Sequence, residues 1–444
     1  MRDRAILDRR AVVVGAGVAG TTAAVALCRA GYQVELVESS PRSGARRFRG
    51  ELVHPPGLAA LQHLGLRAQL DFGQECGGFV VREPARNREA VLHYSAVPGG
   101  STSGRICRFD LLAGTLLHAA IAAGATLRHD AHVVDLVVRE RRASGVVLAD
   151  GTALAGDIVV LAAGRRATFP SIADTIRVRP IRSWTVPLEV NVDFDSAGLT
   201  SRMASVVVGG PGPMLLYPLG PGVARLTLDI PAQLYHLANL ANVFDEFYAP
   251  YLPPPISAAA AISLRHHLAP IANLEVARIP ARIDGVFRVG DHTGVSHPVT
   301  ASGLTRAAAG AVAIATAAQG PRRETHRTNT RLVQQQRLAT MLAGELHMIL
   351  SQSTADALMM RDGLYRYWQS RRRRRSSVRA LTGQASQRQV ILSYVAVALL
   401  GCRAPHVTGA PTSSLARCMI AGRLLRRAAP LVTSRTPWRP GAVA

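Results

Sequence analysis

Three glycines near the start of the chain have the type and spacing of a phosphate-binding turn. Gly15, Gly17 and Gly20 form the pattern GxGxxG between an apolar run and an apolar, helix-like segment. Gly15 permits a sharp turn, Gly17 lets the backbone approach a pyrophosphate, and Gly20 lets a helix lie close to a sheet. Free N–H groups at the start of that helix would face the phosphates. The pattern predicts a dinucleotide site, and a purely structural glycine turn is the alternative interpretation.

An acidic residue, Glu38, stands eighteen residues after the last of these glycines, where the second predicted strand ends. A carboxylate in that position accepts hydrogen bonds from a ribose diol and repels a 2′-phosphate. The dinucleotide is therefore expected to be FAD or NAD and not NADP.

A second segment with the same chemistry lies far along the chain. There a predicted strand ends in Gly290 and Asp291, a polar loop follows, and a small-residue helix opens near Ser302 and Gly303. An aspartate at a strand end can bind a ribityl hydroxyl, and a helix N-terminus stabilises negative charge on a reduced flavin. Two distant segments of this kind are what a ligand as long as FAD requires.

The order of apolar runs and turns predicts an α/β fold in which a Rossmann-type FAD-binding domain is interleaved with an antiparallel-sheet substrate domain and followed by an α-helical C-terminal region. The first part of the FAD-binding domain is placed at 1–176, with part of the substrate region at about 75–105. The substrate sheet is placed at 177–283, the return segment at 284–320 and the basic helical region at 321–444.

Composition narrows the classes of chemistry. The chain has 444 residues and a net charge of +23, and all 52 basic residues are arginine. The lack of lysine excludes a P-loop lysine and a lysine Schiff base. Five cysteines without a CxxC pair argue against a disulfide framework and against a zinc site. No metal site is therefore predicted, and the cysteine usage favours the reducing cytoplasm.

The C-terminal region combines charge with apolar helices. Five arginines occupy 371–375, and an uncharged run of thirteen residues occupies 390–402. Such clusters suggest peripheral contact with an anionic bilayer at the inner face of the membrane, and a helix packed on the body with a solvated arginine patch is the alternative. No apolar span is long enough for a membrane helix. No specific nucleic acid is expected, because no basic stretch is interleaved with aromatic residues.

Three longer segments resemble the squalene epoxidase (squalene monooxygenase) branch of the flavoprotein monooxygenases, which lies within the p-hydroxybenzoate hydroxylase-type superfamily. They are RFRGELVHPPG at 47–57, PMLLYPLGPGVARLTLDIP at 213–231 and GDHTGVSHPVTASGLT at 290–305. The last is similar to the family's His-Pro-Leu-Thr, glycine, Met-Thr pattern, although Ala301 and Ser302 replace glycines.

The resemblance implies a set of site residues but no catalytic acid or base. Flavin-proximal candidates are Arg47, His297 and Pro298, with solvated loop arginines as the alternative for Arg47. The residues that would bind the cofactor are Gly15, Gly17, Gly20, Glu38, Arg47, Arg108, Gly290, Asp291, Gly303 and Leu304. Substrate-pocket candidates are Tyr94 and Tyr217.

The reaction implied by the resemblance is transfer of one oxygen atom from a flavin C4a-hydroperoxide to a carbon–carbon double bond of a lipophilic olefin. A terpenoid such as squalene or a polyketide polyene of secondary metabolism would be the substrate. Ala163 stands where the superfamily has an aspartate. Electrons from NADPH or NADH are therefore expected to arrive directly or through a separate reductase.

Three other interpretations stay open. A related flavoprotein could hydroxylate an aromatic ring or reduce isoprenoid double bonds, since a fold does not determine a reaction. A basic membrane- or nucleic-acid-binding protein with a vestigial flavin site would account for the charge.

Overall fold

The computed structural model of the chain describes residues 9–40, 51–66, 71, 73–97, 102–237, 239–267 and 269–403. The strands are β1 (Arg10–Val14), β2 (Gln33–Val37), β3 (Leu52–Val53), β4 (Gln74–Cys76), β5 (Gly78–Glu83), β6 (Arg88–His93), β7 (Gly104–Ile106), β8 (Thr126–Arg128), β9 (Val133–Arg139), β10 (Arg142–Leu148), β11 (Ala153–Ala155), β12 (Ile158–Leu161), β13 (Thr175–Val178), β14 (Ser183–Asn191), β15 (Ala204–Val207), β16 (Met214–Gly220), β17 (Val223–Pro231), β18 (Ile271–Ala272), β19 (Val276–Ile279), β20 (Val286–Arg288) and β21 (Gly294–Val295). The helices are α1 (Val18–Arg29), α2 (Pro55–His63), α3 (Phe109–Ala122), α4 (Ala232–Leu237), α5 (Leu240–Phe247), α6 (Pro254–Ser263), α7 (Gly303–Ala318), α8 (Arg322–Ser351), α9 (Ala355–Trp368), α10 (Arg371–Leu381) and α11 (Gln387–Cys402).

A parallel sheet of five strands, in the order β20-β12-β1-β2-β8, forms the base of the first domain. Strand β12 and the part of β1 after Arg10 are buried and apolar, as expected for a parallel sheet covered on both faces. Helices α1, α3 and α7 contribute apolar residues to one shared core cluster with this sheet. The predicted Rossmann-type domain is confirmed, and its edge strand β20 is supplied by the return segment.

The second large sheet has seven strands in the order β18-β14-β17-β16-β15-β5-β6. Neighbours pair antiparallel except β15 and β5, which pair parallel with Ala204 opposite Phe79. Because β5 and β6 come from early in the chain, this sheet is interleaved with the first domain, as predicted for the fold class. The predicted domain boundaries are not settled by these pairings and stay a prediction.

A buried ion pair joins the segment before β3 to the seven-stranded sheet. Glu51, directly before β3, accepts hydrogen bonds from Arg225 of β17 at 3.1 and 3.2 Å, and both side chains are almost fully buried. Burial raises the pKa of Glu51, and the arginine opposes that shift. An ion pair in such a place is costly to break from one side, because the remaining charge has no water around it.

Helices α8 to α11 form a layer over the seven-stranded sheet. At one edge Asp362 of α9 accepts hydrogen bonds from Arg88 at 2.6 Å and from Arg86 at 3.2 Å. On the same hairpin, Glu83 pairs with Arg88 and with Arg361 of α9. Within the described ranges, no helix has the length and apolar character needed to cross a bilayer.

Candidate functional site

The glycine turn between β1 and α1 is fixed by close backbone contacts. Gly15 has a φ of +101°, a region that favours glycine, and its N–H donates to the Val37 carbonyl at 2.7 Å. A Cβ on Gly15 would stand 2.6 Å from the Ala162 carbonyl oxygen, and one on Gly20 would stand 1.8 Å from the Gly15 carbonyl oxygen. Both glycines are therefore required by the packing of the turn itself.

Gly17 differs from its neighbours because it faces open space. Among the described residues, no atom lies within 4 Å of a Cβ built on Gly17, the residue that precedes α1. In the described part of the chain, no side chain caps the start of this helix. The Glu38 carboxylate lies beside the turn and accepts hydrogen bonds from the N–H groups of Ala16 and Ser40 at 2.8 and 2.9 Å. The turn thus presents backbone donors and a carboxylate around an open surface.

The return segment meets this turn in space. A Cβ on Gly290 would stand 2.7 Å from the Ala19 side chain of α1, so the end of β20 lies against the first helix. Gly290, Asp291 and Gly303 line one small cavity of about 20 Å³. Helix α7 begins at Gly303 and, like α1, has no side-chain cap.

This arrangement fits FAD. An uncapped helix N-terminus can hold a pyrophosphate, the Glu38 carboxylate can hold a ribose, and Asp291 can hold a ribityl hydroxyl. Leu304 is buried in the core of the first domain, so its side chain serves packing. The roles of these residues toward FAD stay predictions, although the fold has brought the two distant segments together.

The loop from His297 to Ser302 connects β21 with α7. His297 Nδ1 accepts a hydrogen bond from the Val299 N–H at 3.2 Å, so in the neutral ring the proton is on Nε2. That nitrogen faces Asp229 Oδ1 at 3.4 Å and Ser183 Oγ at 3.3 Å. Pro298 starts the 3₁₀ turn that follows. Ala301 has a left-handed φ of +50°, a conformation that the glycine of the family pattern adopts without strain.

Asp229 lies at the centre of a buried network. It accepts hydrogen bonds from His347 Nε2 of α8 at 2.5 Å and from Asn273 Nδ2 at 2.9 Å, in addition to facing His297. The two imidazole rings lie face to face at a tilt of 30°, with centroids 3.9 Å apart. Burial alone would raise the pKa of Asp229, but the two histidines hold that pKa below its usual range. Helix α8 is thereby connected to the loop that carries Pro298.

The ligand atoms of Asp229, His297 and His347 all lie within 4.8 Å of one another, close enough to suggest a metal site. The tautomer of His297 opposes that interpretation, since a metal-binding Nε2 must offer its lone pair. Here Nδ1 accepts from the backbone, and the proton on Nε2 points to the carboxylate. The cluster is a hydrogen-bond network in its present geometry.

A cavity of about 1270 Å³ lies between the seven-stranded sheet and helices α8 to α11. Its apolar lining includes Phe79, Val81 and Leu92 from the sheet and Leu346, Ile349, Leu364 and Val397 from the helices. Thr293, Val299 and Thr300 also line it, so the cavity reaches the loop of His297 and Pro298. Such a volume exceeds that of the usual pocket for a drug-sized ligand.

Two family models match the chain. One, described as squalene epoxidase, matches residues 191–405. The other, an NAD(P)-binding Rossmann-like domain, matches residues 13–67. Over these residues the chain resembles squalene epoxidases, and squalene monooxygenases are among its relatives. The resemblance stated from the sequence is confirmed.

Relatives of this squalene epoxidase-like chain include two differently named monooxygenases. Squalene monooxygenase of Mus musculus is 25% identical over 312 residues, which cover 68% of this chain and 53% of the mouse protein. The chain thus spans about half the length of that relative. The 6-methylpretetramide 4-monooxygenase of Streptomyces rimosus is 29% identical over 68% of this chain and 73% of the relative.

Solved structures show the same fold. A 2-methyl-3-hydroxypyridine-5-carboxylic acid oxygenase has a TM-score of 0.63 and 22% identity, covering 76% of this chain and 90% of that one. The p-nitrophenol 4-monooxygenase of Pseudomonas putida DLL-E4 has a TM-score of 0.70 and 16% identity, covering 85% and 99%. At these identities the likeness concerns the fold alone.

The two predicted pocket tyrosines are not among the residues that line the large cavity of this squalene epoxidase-like chain. Both are buried within the core beside it. The Tyr94 hydroxyl lies 2.7 Å from His54 Nδ1, and His54 Nε2 lies 3.0 Å from the Thr300 carbonyl. Because a carbonyl only accepts, Nε2 donates, and Tyr94 donates to Nδ1. Burial lowers the pKa of His54 to about 4.

The remaining predicted contacts divide between described and undescribed residues. Arg108 precedes α3 and donates to Glu189 of β14 at 3.0 Å, so its guanidinium lies at the junction between the two sheets. Arg47 lies outside the described residues, as does the basic stretch beyond Arg403.

Four polar residues of the squalene epoxidase-like site had no assigned role in the sequence: Glu51, His54, Asp229 and His347. Glu51 and His54 fall inside the segment RFRGELVHPPG, and Asp229 falls inside PMLLYPLGPGVARLTLDIP, so the resemblance marked their surroundings. His347 had no such signal, since it lies in an ordinary amphipathic helix.

Proposed function

We propose that this chain is an FAD-dependent monooxygenase that epoxidises a carbon–carbon double bond of a lipophilic olefin. The observation that carries the proposal is the large apolar cavity, because it extends to Val299 and Thr300 in the loop expected beside the flavin ring. A long apolar olefin is the class of substrate that such a lining favours. The similarity to squalene monooxygenases supports the same class.

The residues of this chain have positioning roles in that reaction. Bound FAD, once reduced, supplies the chemistry of oxygen activation. The glycine turn and Glu38 hold its nucleotide part, and Asp291 holds its ribityl chain. The network of Asp229 and His347 fixes the ring of His297 and hence the backbone beside it. The apolar walls exclude water and orient the olefin.

The electron source is NADPH or NADH, used directly or through a separate reductase. Ala163 favours the second route, because it replaces the aspartate with which the superfamily handles the nicotinamide. Stopped-flow measurement of flavin reduction by NADPH, with and without a flavin reductase, tests this. Rapid reduction by NADPH alone would contradict the reductase route.

Peripheral membrane contact at the cytoplasmic face forms a further part of the proposal. Leu392 and Leu399 lie seven residues apart on α11 and are 58% and 50% exposed, and Arg388 and Arg403 are exposed near the two ends of this helix. Exposed leucines between arginines suit the surface of an anionic bilayer. Cosedimentation with phosphatidylglycerol vesicles should decrease in the Leu392→Gln/Leu399→Gln variant. Unchanged binding would exclude this face.

The reaction itself is tested by mass spectrometry of products formed under ¹⁸O₂. Protein loaded with FAD, a flavin reductase and NADPH are incubated with squalene and with a panel of polyenes. One labelled oxygen atom and the loss of one alkene signal are expected. Gly17→Ala is the control, because a Cβ there meets no atom of the residues that the structure describes but projects into the predicted pyrophosphate site.

Hydroxylation of an aromatic polyketide is the second candidate. It is favoured by the similarity to 6-methylpretetramide 4-monooxygenase, of which 73% is covered. A labelled phenol from a polycyclic aromatic substrate, with no epoxide from any polyene, would replace the first proposal by this one.

A further inference from the structure

One end of the large cavity carries a group of arginines. Arg177 lies on β13, and Arg179 comes directly after that strand ends at Val178. Arg182 follows shortly after the strand, and Arg337 is supplied by α8. All four line the cavity. Arg177, Arg182 and Arg337 are also exposed, so they stand where the cavity opens to solvent.

These four arginines outnumber the carboxylates that line the cavity. Arg179 donates to Glu275 at 3.0 Å. Within the described ranges, neither Arg177, Arg182 nor Arg337 has a carboxylate oxygen within the 4 Å of an ion pair. Some other surface arginines of this chain are paired, as Arg128 is with Glu35 at 2.7 Å. The cavity mouth therefore carries uncompensated positive charge.

Both walls bring this charge to the same end of the cavity. Arg177 is opposite Ala277 in the pairing of β13 with β19, and Ala277 is opposite Gly294 in β21. A Cβ on Gly294 would stand 3.0 Å from Gln336 Cγ in α8, and Arg337 is the next residue. The sheet wall and the helix wall therefore meet where the arginines lie.

We propose that the substrate is an amphiphile, with a long apolar chain that ends in an acidic group, either a carboxylate or a phosphate. The arginines at the mouth bind the acidic group, and the chain extends along the apolar walls formed by α9 and α11. Guanidinium groups suit carboxylate and phosphate oxygens equally. This inference rests on the proposed oxygenation of an olefin, and it disfavours a plain hydrocarbon such as squalene as the natural substrate.

The test compares geranylgeranoic acid, its methyl ester and geranylgeranyl monophosphate. Their dissociation constants are measured by displacement of a fluorescent fatty acid from the FAD-loaded protein, and their oxygenation is measured under ¹⁸O₂. We expect the acid or the phosphate to bind about tenfold more tightly than the ester, and high salt to reduce this difference. Which of the two binds better distinguishes carboxylate from phosphate recognition.

The variant Arg177→Gln/Arg182→Gln/Arg337→Gln should lose most of that preference. The control Arg139→Gln/Arg265→Gln/Arg323→Gln removes the same charge from exposed positions that do not line the cavity, and it should keep the preference. Equal binding of acid and ester by the unaltered protein would overturn the inference, even if both were oxygenated.

Two further results would also overturn it. In one, the mouth variant loses affinity for anionic vesicles but keeps its preference for the acid, so the arginines contact lipid head groups. In the other, the mouth variant keeps its preference for the acid and only its KM for NADPH rises, so the arginines bind NADPH and not the substrate. Tight, arginine-dependent binding of the acid without oxygen incorporation would support the inference and remove the proposed reaction, so the two failures are distinguishable.

Discussion

The dinucleotide site and the large cavity are built in different ways. The first is formed by the backbone. It consists of a glycine turn and two helix starts for which the described residues supply no side-chain cap, and a Cβ on Gly15 or Gly20 would clash with a backbone carbonyl oxygen. The second is formed by side chains from two sheet strands and several helices. The difference teaches that one site depends on the absence of side chains and the other on their size and charge. Substitutions should therefore abolish the first and retune the second.

The sharpest test of how the two regions depend on each other is the pair that joins them. Arg225→Met leaves Glu51 buried without its partner, and the free energy of unfolding should fall by about 3–5 kcal/mol. Urea denaturation measures this loss. The double variant Glu51→Gln/Arg225→Met should recover much of it. If the single and double variants were equally unstable, the uncompensated charge would not be the cause.

The backbone nature of the first site is tested by two alanines. Gly20→Ala places a Cβ 1.8 Å from a carbonyl oxygen, and the free energy of unfolding should fall by about 3 kcal/mol. Gly17→Ala has room for its methyl group and should fold normally, yet bind FAD at least about tenfold more weakly. Thermal denaturation and the FAD content of the purified proteins separate the two effects. Normal FAD content in Gly17→Ala would contradict the predicted pyrophosphate position.

The contribution of the buried His54 to the free energy of unfolding should depend on pH. His54 has a pKa of about 4, below its ordinary value of 6.5, because burial disfavours the charged ring. The neutral His54 therefore contributes its full stabilisation above pH 6.5. This contribution is lost as the pH falls toward 4, because the unfolded chain takes up a proton on this ring before the folded chain does. Between pH 7.5 and pH 5 the loss should be about 2 kcal/mol.

The matched variant for this pH effect is His54→Gln. Its amide can donate to the Thr300 carbonyl and accept from Tyr94, but it does not titrate. Urea midpoints at the two pH values should therefore differ less in the variant than in the unaltered protein. An equal difference would assign the pH dependence to other groups.

The cavity should change its ligand range while the dinucleotide site stays intact. Leu346→Trp fills part of the apolar wall and should raise the KM for a long polyene about tenfold, with FAD content unchanged. Leu346→Ala, which enlarges the same wall, is the comparison. A KM that responds to neither variant would place the olefin elsewhere.

The sequence was most informative where the physics is local. The turn requires glycine at Gly15 for its positive φ and at Gly20 for its contact with the Gly15 carbonyl, and both causes lie within a few residues, so the spacing predicted the turn. The strand end at Gly290 and Asp291 was predicted in the same way. Its close approach to Ala19 of α1 was not predicted and is seen only in the structure.

Pairings across long separations were not predictable. Glu51 and Arg225 are 174 residues apart, and His54 and Thr300 are 246 apart. A single amino-acid sequence does not show which distant residues the register of a sheet will bring together. Tyr94 and Tyr217 illustrate the same point, because their positions in the core depend on how the helices cover the sheet. His347 reaches Asp229 only through that packing.

The parallel sheet of the first domain has a consequence for synthesis. Strand β12 ends at Leu161, but its outer neighbour β20 begins at Val286. A ribosome adding roughly 5–20 residues per second needs on the order of 10 s to make the segment between them. During that interval β12 has an unsatisfied edge, and Gly290 and Asp291 do not yet exist. If Gly290 and Asp291 bind FAD as predicted, cofactor capture is expected only after the antiparallel sheet has been synthesised.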